Sequence, residues 1–438
     1  MSKATVMKKS ILFGLCLILS LSSYISAQKR IEIKDNNGKW ELFIDGKNTF
    51  IKGVGGTNRL DMAAQNNANA FRTWGGSVES IQKDLELARQ NKMYIMQGIS
   101  LTKNSASYLD ETYKAKLRAE VRTLAETFKD DPNILSWGIG NEIDLGKEEM
   151  TDAWRFVEEL ALLIKSIDQR HLVSTVIAHS AKALDAVSDY VPHLDYIGIN
   201  SYGSIDQVEK MVENSTYKGA YMITEWGPTG FWETTSTEWK APVEQTSEEK
   251  RIVYEERYNQ YIRSANRCVG SFVFLWGQKE ERTPTWFSMF VERGVKGLPL
   301  KGEKTPMVEA MQRVWTGQEP AQTAPVTQSF TINNKKAVES VYVEPDTPFQ
   351  GEVKANDREE KNLTYIWEIL KEASVLGFGG SFEPRPDRVG KVSVTQTNNC
   401  TLFVSEPGNY RLYVYVLDNT GFVSTANVPF KIKTKEIF

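Results

Sequence analysis

Ile134-Leu-Ser-Trp-Gly-Ile-Gly-Asn-Glu142 and Ala220-Tyr-Met-Ile-Thr-Glu225-Trp-Gly227 decide how this chain is read. Each is an apolar run of strand length that stops at a carboxylate beside a glycine and a tryptophan. A run without polar alternation describes a strand covered on both faces, as in a parallel sheet. A carboxylate at the end of such a strand loses hydration, so it must be paired or used. Two of them invite paired acid and base chemistry, provided the chain between them folds both strands into one sheet.

Working outward, six further runs have the same character: Thr49 to Val54, Asn69 to Trp74, Met93 to Gly98, Leu172 to Ala178, Tyr196 to Asn200 and Ser271 to Trp276. Amphipathic stretches separate them, among them Val78 to Gln90, Glu111 to Phe128, Glu148 to Ile167 and Ser247 to Asn266, with apolar residues at three- and four-residue spacing. Strand and helix in alternation predict an α/β fold with a parallel sheet, and the unit count matches a (β/α)8 TIM barrel over residues 28–315, led by a short hairpin at Asp35-Asn-Asn-Gly38. A doubly wound open sheet is the alternative, but no glycine-rich phosphate loop follows the first strand.

The polar, proline-bearing segment 316–325 reads as a linker. Beyond it, 326–438 changes to period two, as in Arg411-Leu-Tyr-Val-Tyr-Val-Leu417 with a turn at Asp418-Asn-Thr-Gly421. An all-β sandwich follows. Trp367 in Tyr365-Ile-Trp-Glu-Ile369 and Tyr410 after Pro407-Gly-Asn409 are placed like the inner tryptophan and tyrosine corner of an immunoglobulin-like domain, and Leu412 stands where a second cysteine would be.

Lys8 and Lys9, the apolar run Ile11 to Leu21 and the small residues up to Ala27 read as a signal peptide over 1–27, so the mature protein is expected to be secreted or periplasmic. The run is too short for a membrane span. Phe13-Gly-Leu15 before Cys16 fits a lipidation box poorly, which argues against a lipid-anchored form. Removing Lys3, Lys8 and Lys9 makes the net charge of −3 still more negative, which does not suit nucleic acid or anionic membrane. Cys268 and Cys400, on separate predicted domains, give no disulfide framework. His171, His179 and His193 lack metal-ligand spacing, and no serine elbow or nucleotide loop is present. No cofactor or metal is expected.

In a barrel, chemistry gathers at the C-terminal ends of strands. By the strand count Glu142 ends strand four and Glu225 strand seven, facing each other across the mouth at about 5 Å, the separation for retention of anomeric configuration. Trp137-Gly-Ile-Gly-Asn-Glu142 resembles the strand-four signature of clan A, the retaining glycoside hydrolases with strand-four and strand-seven glutamates. That resemblance implies Glu142 as acid/base, Glu225 as nucleophile, and Asn141 on the sugar's 2-hydroxyl. It likewise implies Arg72 and Tyr202 as partners of the nucleophile and Trp276 beneath the sugar being cleaved. Asn200, Trp74, Trp286 and Gln278 are further candidate substrate contacts at strand ends or in the loops after them. Gln97 and His179 end strands three and five. The long loop from Pro228 to Gln245 carries Trp232 and Trp239, where either a subsite wall or ordinary packing is open.

The order of barrel and sandwich most resembles the endo-β-1,3-glucanases of glycoside hydrolase family 158. The barrel motifs also resemble a family 2 barrel, without the β-domains expected before it. The first resemblance implies a polysaccharide substrate, β-1,3-glucan of laminarin type, cleaved internally. An exo-β-glycosidase or β-mannanase on the same barrel, and a glycan-binding protein without activity, are the alternatives. For the sandwich, a spacer or barrel-packing role is expected, because Trp367 reads as core.

Overall fold

A computed structural model describes residues 31–145, 149–377 and 380–434; the signal-peptide reading of 1–27 lies outside them. The chain opens with an antiparallel hairpin, β1 (Ile31–Asn36) and β2 (Lys39–Ile44), extended by β3 (Lys47–Asn48). Eight parallel strands then close a barrel: β4 (Ile51–Gly55), β5 (Ala70–Arg72), β6 (Tyr94–Ile99), β7 (Ile134–Ile139), β8 (Leu172–Ile177), β9 (Tyr196–Asn200), β10 (Tyr221–Trp226) and β11 (Cys268–Val273), with β11 pairing back onto β4.

The unbroken apolar runs are explained by burial on both faces. Every residue of β7, β8, β9, β10 and β11 is buried. One layer of core lies between strands and outer helices, where Val121, Leu124, Val157 and Leu160 of the helices Glu111–Phe128 and Thr151–Ile167 pack against Ile134, Trp137 and Val173. These helices start where the sequence can cap them. Asp110 accepts from Thr112 N at 2.8 Å, and Thr246 with Glu249 forms a capping box on Ser247–Arg257. At the N-terminal end of the barrel, Leu42 and Ile44 of the hairpin join Ile51, Leu135, Leu172 and Val269 in a second apolar layer that plugs the base.

The C-terminal domain is a two-sheet immunoglobulin-like sandwich. One sheet orders β12 (Val326–Ile332), β14 (Phe349–Asn356) and β17 (Asn399–Leu402); the other orders β13 (Val341–Val343), β19 (Val423–Ile432), β18 (Gly408–Leu417), β15 (Thr364–Lys371) and β16 (Arg388–Thr395). Trp367 and Leu412 are fully buried between the sheets. The Tyr410 hydroxyl donates to Glu406 O at 2.9 Å, closing the tyrosine corner.

The helix Pro306–Thr316 ends on Gly317 at φ +71°, and the segment after it is tied down rather than free. Thr323 Oγ1 donates to Glu359 at 2.7 Å, and Ala324 N donates to Glu309. Sandwich and barrel share an apolar seam in which Val291, Leu298 and Leu300 pack against Ile366, Leu370, Tyr413 and Tyr415. Beside it runs a buried polar seam: Lys250 pairs with Glu244 at 2.5 Å, Asn427 donates to Glu244 at 2.6 Å, and Arg411 donates to Pro242 O at 2.9 Å. No helix among the described residues is long and apolar enough to cross a membrane.

Candidate active site

The C-terminal ends of the barrel strands open into a cleft of about 820 Å³, within the roughly 300–1,000 Å³ range of ligand sites. Glu142 and Glu225 both line it. Glu225 lies inside β10. Glu142 stands three residues past β7, because Gly140 turns the chain at φ +77° and Glu142 itself takes φ +50°, its N–H donating to Val176 O at 2.9 Å. A side chain held at positive φ stores strain, which belongs more often to sites than to cores.

Donors reach both oxygens of Glu225. Arg72 Nη1 and Trp74 Nε1 donate to Oε1 at 3.0 and 2.8 Å, and the Tyr202 hydroxyl donates to Oε2 at 3.1 Å. Arg72 is itself fixed, donating to Thr224 O at 2.8 Å and to Asn141 Oδ1 at 2.7 Å. Trp74 can reach Glu225 because Gly98 of β6 has no side chain: a Cβ there would lie 2.5 Å from Thr73 O.

Glu142 has sparser company. Asn200 Nδ2 donates to its Oε1 at 3.0 Å and to Asn141 Oδ1 at 3.1 Å, and Lys103 Nζ lies 3.7 Å from Oε2. Burial, followed by the charge on Glu225, pushes its carboxyl up to about 7, against the opposing pull of Asn200 and Lys103. One carboxylate is thus braced by an arginine while the other is poised to hold its proton near neutrality. Burial and the Glu225 charge also push the Tyr202 phenol well above its ordinary range, so it remains a donor.

The structure brings Arg72, Trp74, Asn141, Asn200 and Tyr202 to the two glutamates, but Trp74 arrives as a hydrogen-bond donor as well as a cleft wall. Three expected substrate contacts require correction. Trp276 is fully buried, its indole N–H donating to Arg59 O at 3.2 Å and its ring packed on Phe290 and Trp315. The last strand runs Cys268–Val273 rather than Ser271 to Trp276 and so ends before Phe274; Phe274 and Leu275 line the cleft, and Trp276 does not. Trp286 is also buried, donating to Thr229 O at 3.0 Å and packing on Phe231. Gln278 does not line the cleft.

Gln97 is buried in the barrel with its amide on Gly98 O, whereas His179 lines the cleft and its Nδ1 lies 2.8 Å from Ser201 Oγ. The long loop divides its tryptophans: Trp232 is in the cleft, and Trp239 packs against Tyr342 of the sandwich. Sequence reasoning did not single out Lys103, Phe274, Lys279, Arg282 or Glu233. Glu233 accepts from Gly203 N, Ser204 N and Gly230 N at 2.7 to 3.0 Å, which ties the loops after β9 and β10 together. Phe274 lay within the run read as the last strand, and nothing in that continuous apolar run marked it as the residue at the cleft. Among the described residues no cluster of histidine, cysteine and acidic side chains is placed to hold a metal.

No protein-family model matches the chain. Two curated rice proteins (Oryza sativa subsp. japonica) are similar to it over 116 residues at 36% identity, mannan endo-1,4-beta-mannosidase 8 and mannan endo-1,4-beta-mannosidase 7. The match covers 24% of this chain and 28% and 27% of theirs, so the chain spans about a quarter of the curated relatives it matches. Among solved structures, a beta-glucuronidase of Bacteroides uniformis aligns at TM-score 0.49 and 13% identity, covering 92% of this chain and 48% of that one. A GH2 beta-galacturonidase from Eisenbergiella tayi, bound to galacturonate, aligns at TM-score 0.49 and 16% identity, covering 66% and 55%. The barrel rests on the chain's own strand pairing and not on these likenesses.

Proposed function

We propose that this protein is a retaining glycoside hydrolase that cleaves a β-linked polysaccharide within the chain, with Glu142 as acid/base and Glu225 as nucleophile. The observation that carries this is the asymmetry of the two carboxyls: Glu225 braced by Arg72, Trp74 and Tyr202, Glu142 pushed up to about 7 beside it. Such a pair divides into one group that attacks and one that donates a proton.

In the first step a Glu225 oxygen attacks the anomeric carbon while Glu142 gives its proton to the departing glycosidic oxygen. The ester that forms removes the charge on Glu225, and with it part of what raises the Glu142 carboxyl. Glu142 can then take a proton from water, whose oxygen attacks the same carbon and frees Glu225. Two inversions leave the configuration retained. Asn141, fixed by Arg72 and Asn200, is presented to a sugar hydroxyl.

The similarity to the rice mannan endo-1,4-beta-mannosidases supports β-mannan as substrate. Laminarin-type β-1,3-glucan is the second reading, supported by the barrel-then-sandwich order resembling family 158. Secretion or a periplasmic location is part of the same proposal and rests on residues 1–27.

The test is a time course with mannan, laminarin and other β-glucans, with product lengths resolved. Internal cleavage releases mixed oligosaccharides from the first minutes, whereas one small product from the outset would point to exo-action. No reducing ends from any of these glycans would sink the enzymatic reading. Glycan binding that survives in Glu225→Ala while hydrolysis is lost separates catalysis from mere binding.

A further inference from the structure

Trp232 is 56% exposed although it lies in the cleft, an unusual place for the largest apolar side chain. It is nonetheless held from two sides. Its ring meets Tyr202 edge-on at 5.5 Å and Phe231 edge-on at 4.7 Å. Phe231 in turn lies under the Arg282 guanidinium, 4.2 Å from the ring centre.

Arg282 does not hold that position alone. Its backbone N–H donates to Glu383 at 2.7 Å and its Nη1 lies 3.3 Å from the same carboxylate, which also accepts from Gly377 N at 2.8 Å. Glu383 belongs to the sandwich, in the stretch between β15 and β16, and is only 3% exposed. A buried carboxylate bonded to three donors is a rigid anchor, and removing it leaves those half-buried donors without this partner. A line of contacts therefore runs from the second domain to the nucleophile: Glu383, Arg282, Phe231, Trp232, Tyr202, Glu225.

We propose that Trp232 is the stacking platform for a sugar unit flanking the one being cleaved, and that Glu383 of the sandwich is its positioning residue, acting through Arg282 and Phe231. A flat indole offers the apolar face that a pyranose ring's C–H surface needs, and its exposure leaves room for that ring. The sandwich then shapes the substrate wall as well as packing on the barrel. This rests on the glycosidase reading of the same cleft.

The test is steady-state hydrolysis of β-1,4-mannohexaose and laminarihexaose by the full chain, using Glu383→Ala, Trp232→Ala and the double variant, with thermal unfolding measured alongside. Glu383→Ala is expected to raise KM about five- to tenfold with kcat within about twofold. Trp232→Ala should raise KM at least as much, and the double variant should match Trp232→Ala alone, since the anchor acts only through the platform. Additive effects, or a Glu383→Ala effect undiminished without Trp232, would assign Glu383 a purely structural role and overturn the inference. So would unchanged KM in both single variants of an active enzyme. A wild type inactive on both hexasaccharides and on all the polysaccharides tested above instead sinks the glycosidase reading; calorimetric binding of the two hexasaccharides to wild type and Trp232→Ala then tests the platform, which fails if affinity is equal or absent.

Discussion

Replacing Glu142 by glutamine should stabilise the fold, and only above the pH at which carboxylates ordinarily ionise. The side chain is 14% exposed and its carboxyl is pushed from 4.5 to about 7, first by burial and then by Glu225. Between those two values the folded chain holds a proton that the unfolded chain has lost. Stability therefore falls as pH rises through this window, and the loss is complete above the folded value. A displacement of that size, at 1.36 kcal/mol per pH unit, corresponds to about 3 kcal/mol. Glutamine has nearly the same shape, can turn its carbonyl toward the Asn200 amide, and carries no charge to desolvate. Urea unfolding followed by tryptophan fluorescence at pH 4, 6 and 8 measures the difference. Glu142→Gln and wild type should coincide at pH 4, and the variant should be more stable by up to about 3 kcal/mol at pH 8. A difference that is the same at pH 4 and pH 8 would refute the claim that a buried, proton-hungry carboxyl sits at this position.

Activity should report the same group: kcat/KM is expected to decline above about pH 7 as Glu142 loses its proton, and Lys103→Met should move that limb upward by up to about one pH unit while Lys103→Arg should not. Tyr202→Phe keeps the ring packing but removes the hydroxyl from Glu225 Oε2, so kcat/KM should fall about 10- to 100-fold, from the roughly 1.5–3 kcal/mol of a hydrogen bond to a charged group, with the melting temperature little changed. Lys250→Met leaves Glu244 buried without its cation at the barrel–sandwich seam, and denaturant unfolding should show a loss of about 3–5 kcal/mol.

The barrel was legible because its strands are covered on both faces. Burial there demands apolar runs without alternation, and such runs can be counted. Glu142 and Glu225 were legible for the converse reason: each breaks a run with a charge that packing cannot explain. Trp276 and Trp286 misled because a tryptophan near a strand end is written identically whether it faces the cleft or the core. The strand before Trp276 ends three residues earlier than the apolar run suggests, and Phe274, not Trp276, lines the cleft. Trp232 and Trp239 were equivalent in sequence, seven residues apart in one loop, and went one to the cleft and the other against Tyr342 of the sandwich.

By itself the sequence determined the alternation of strands and helices, the change to period two in the C-terminal part of the chain, and two carboxylates at strand ends. These are local properties, carried by spacing and by the cost of burying charge. Only the tertiary structure decided that Trp74 donates to Glu225, that Asn200 bridges Asn141 and Glu142, and that Glu383 of the sandwich reaches Arg282 beside the cleft. Those contacts join residues 58 to 151 positions apart, or cross between domains, and no periodicity records a distance that is set by how a barrel closes.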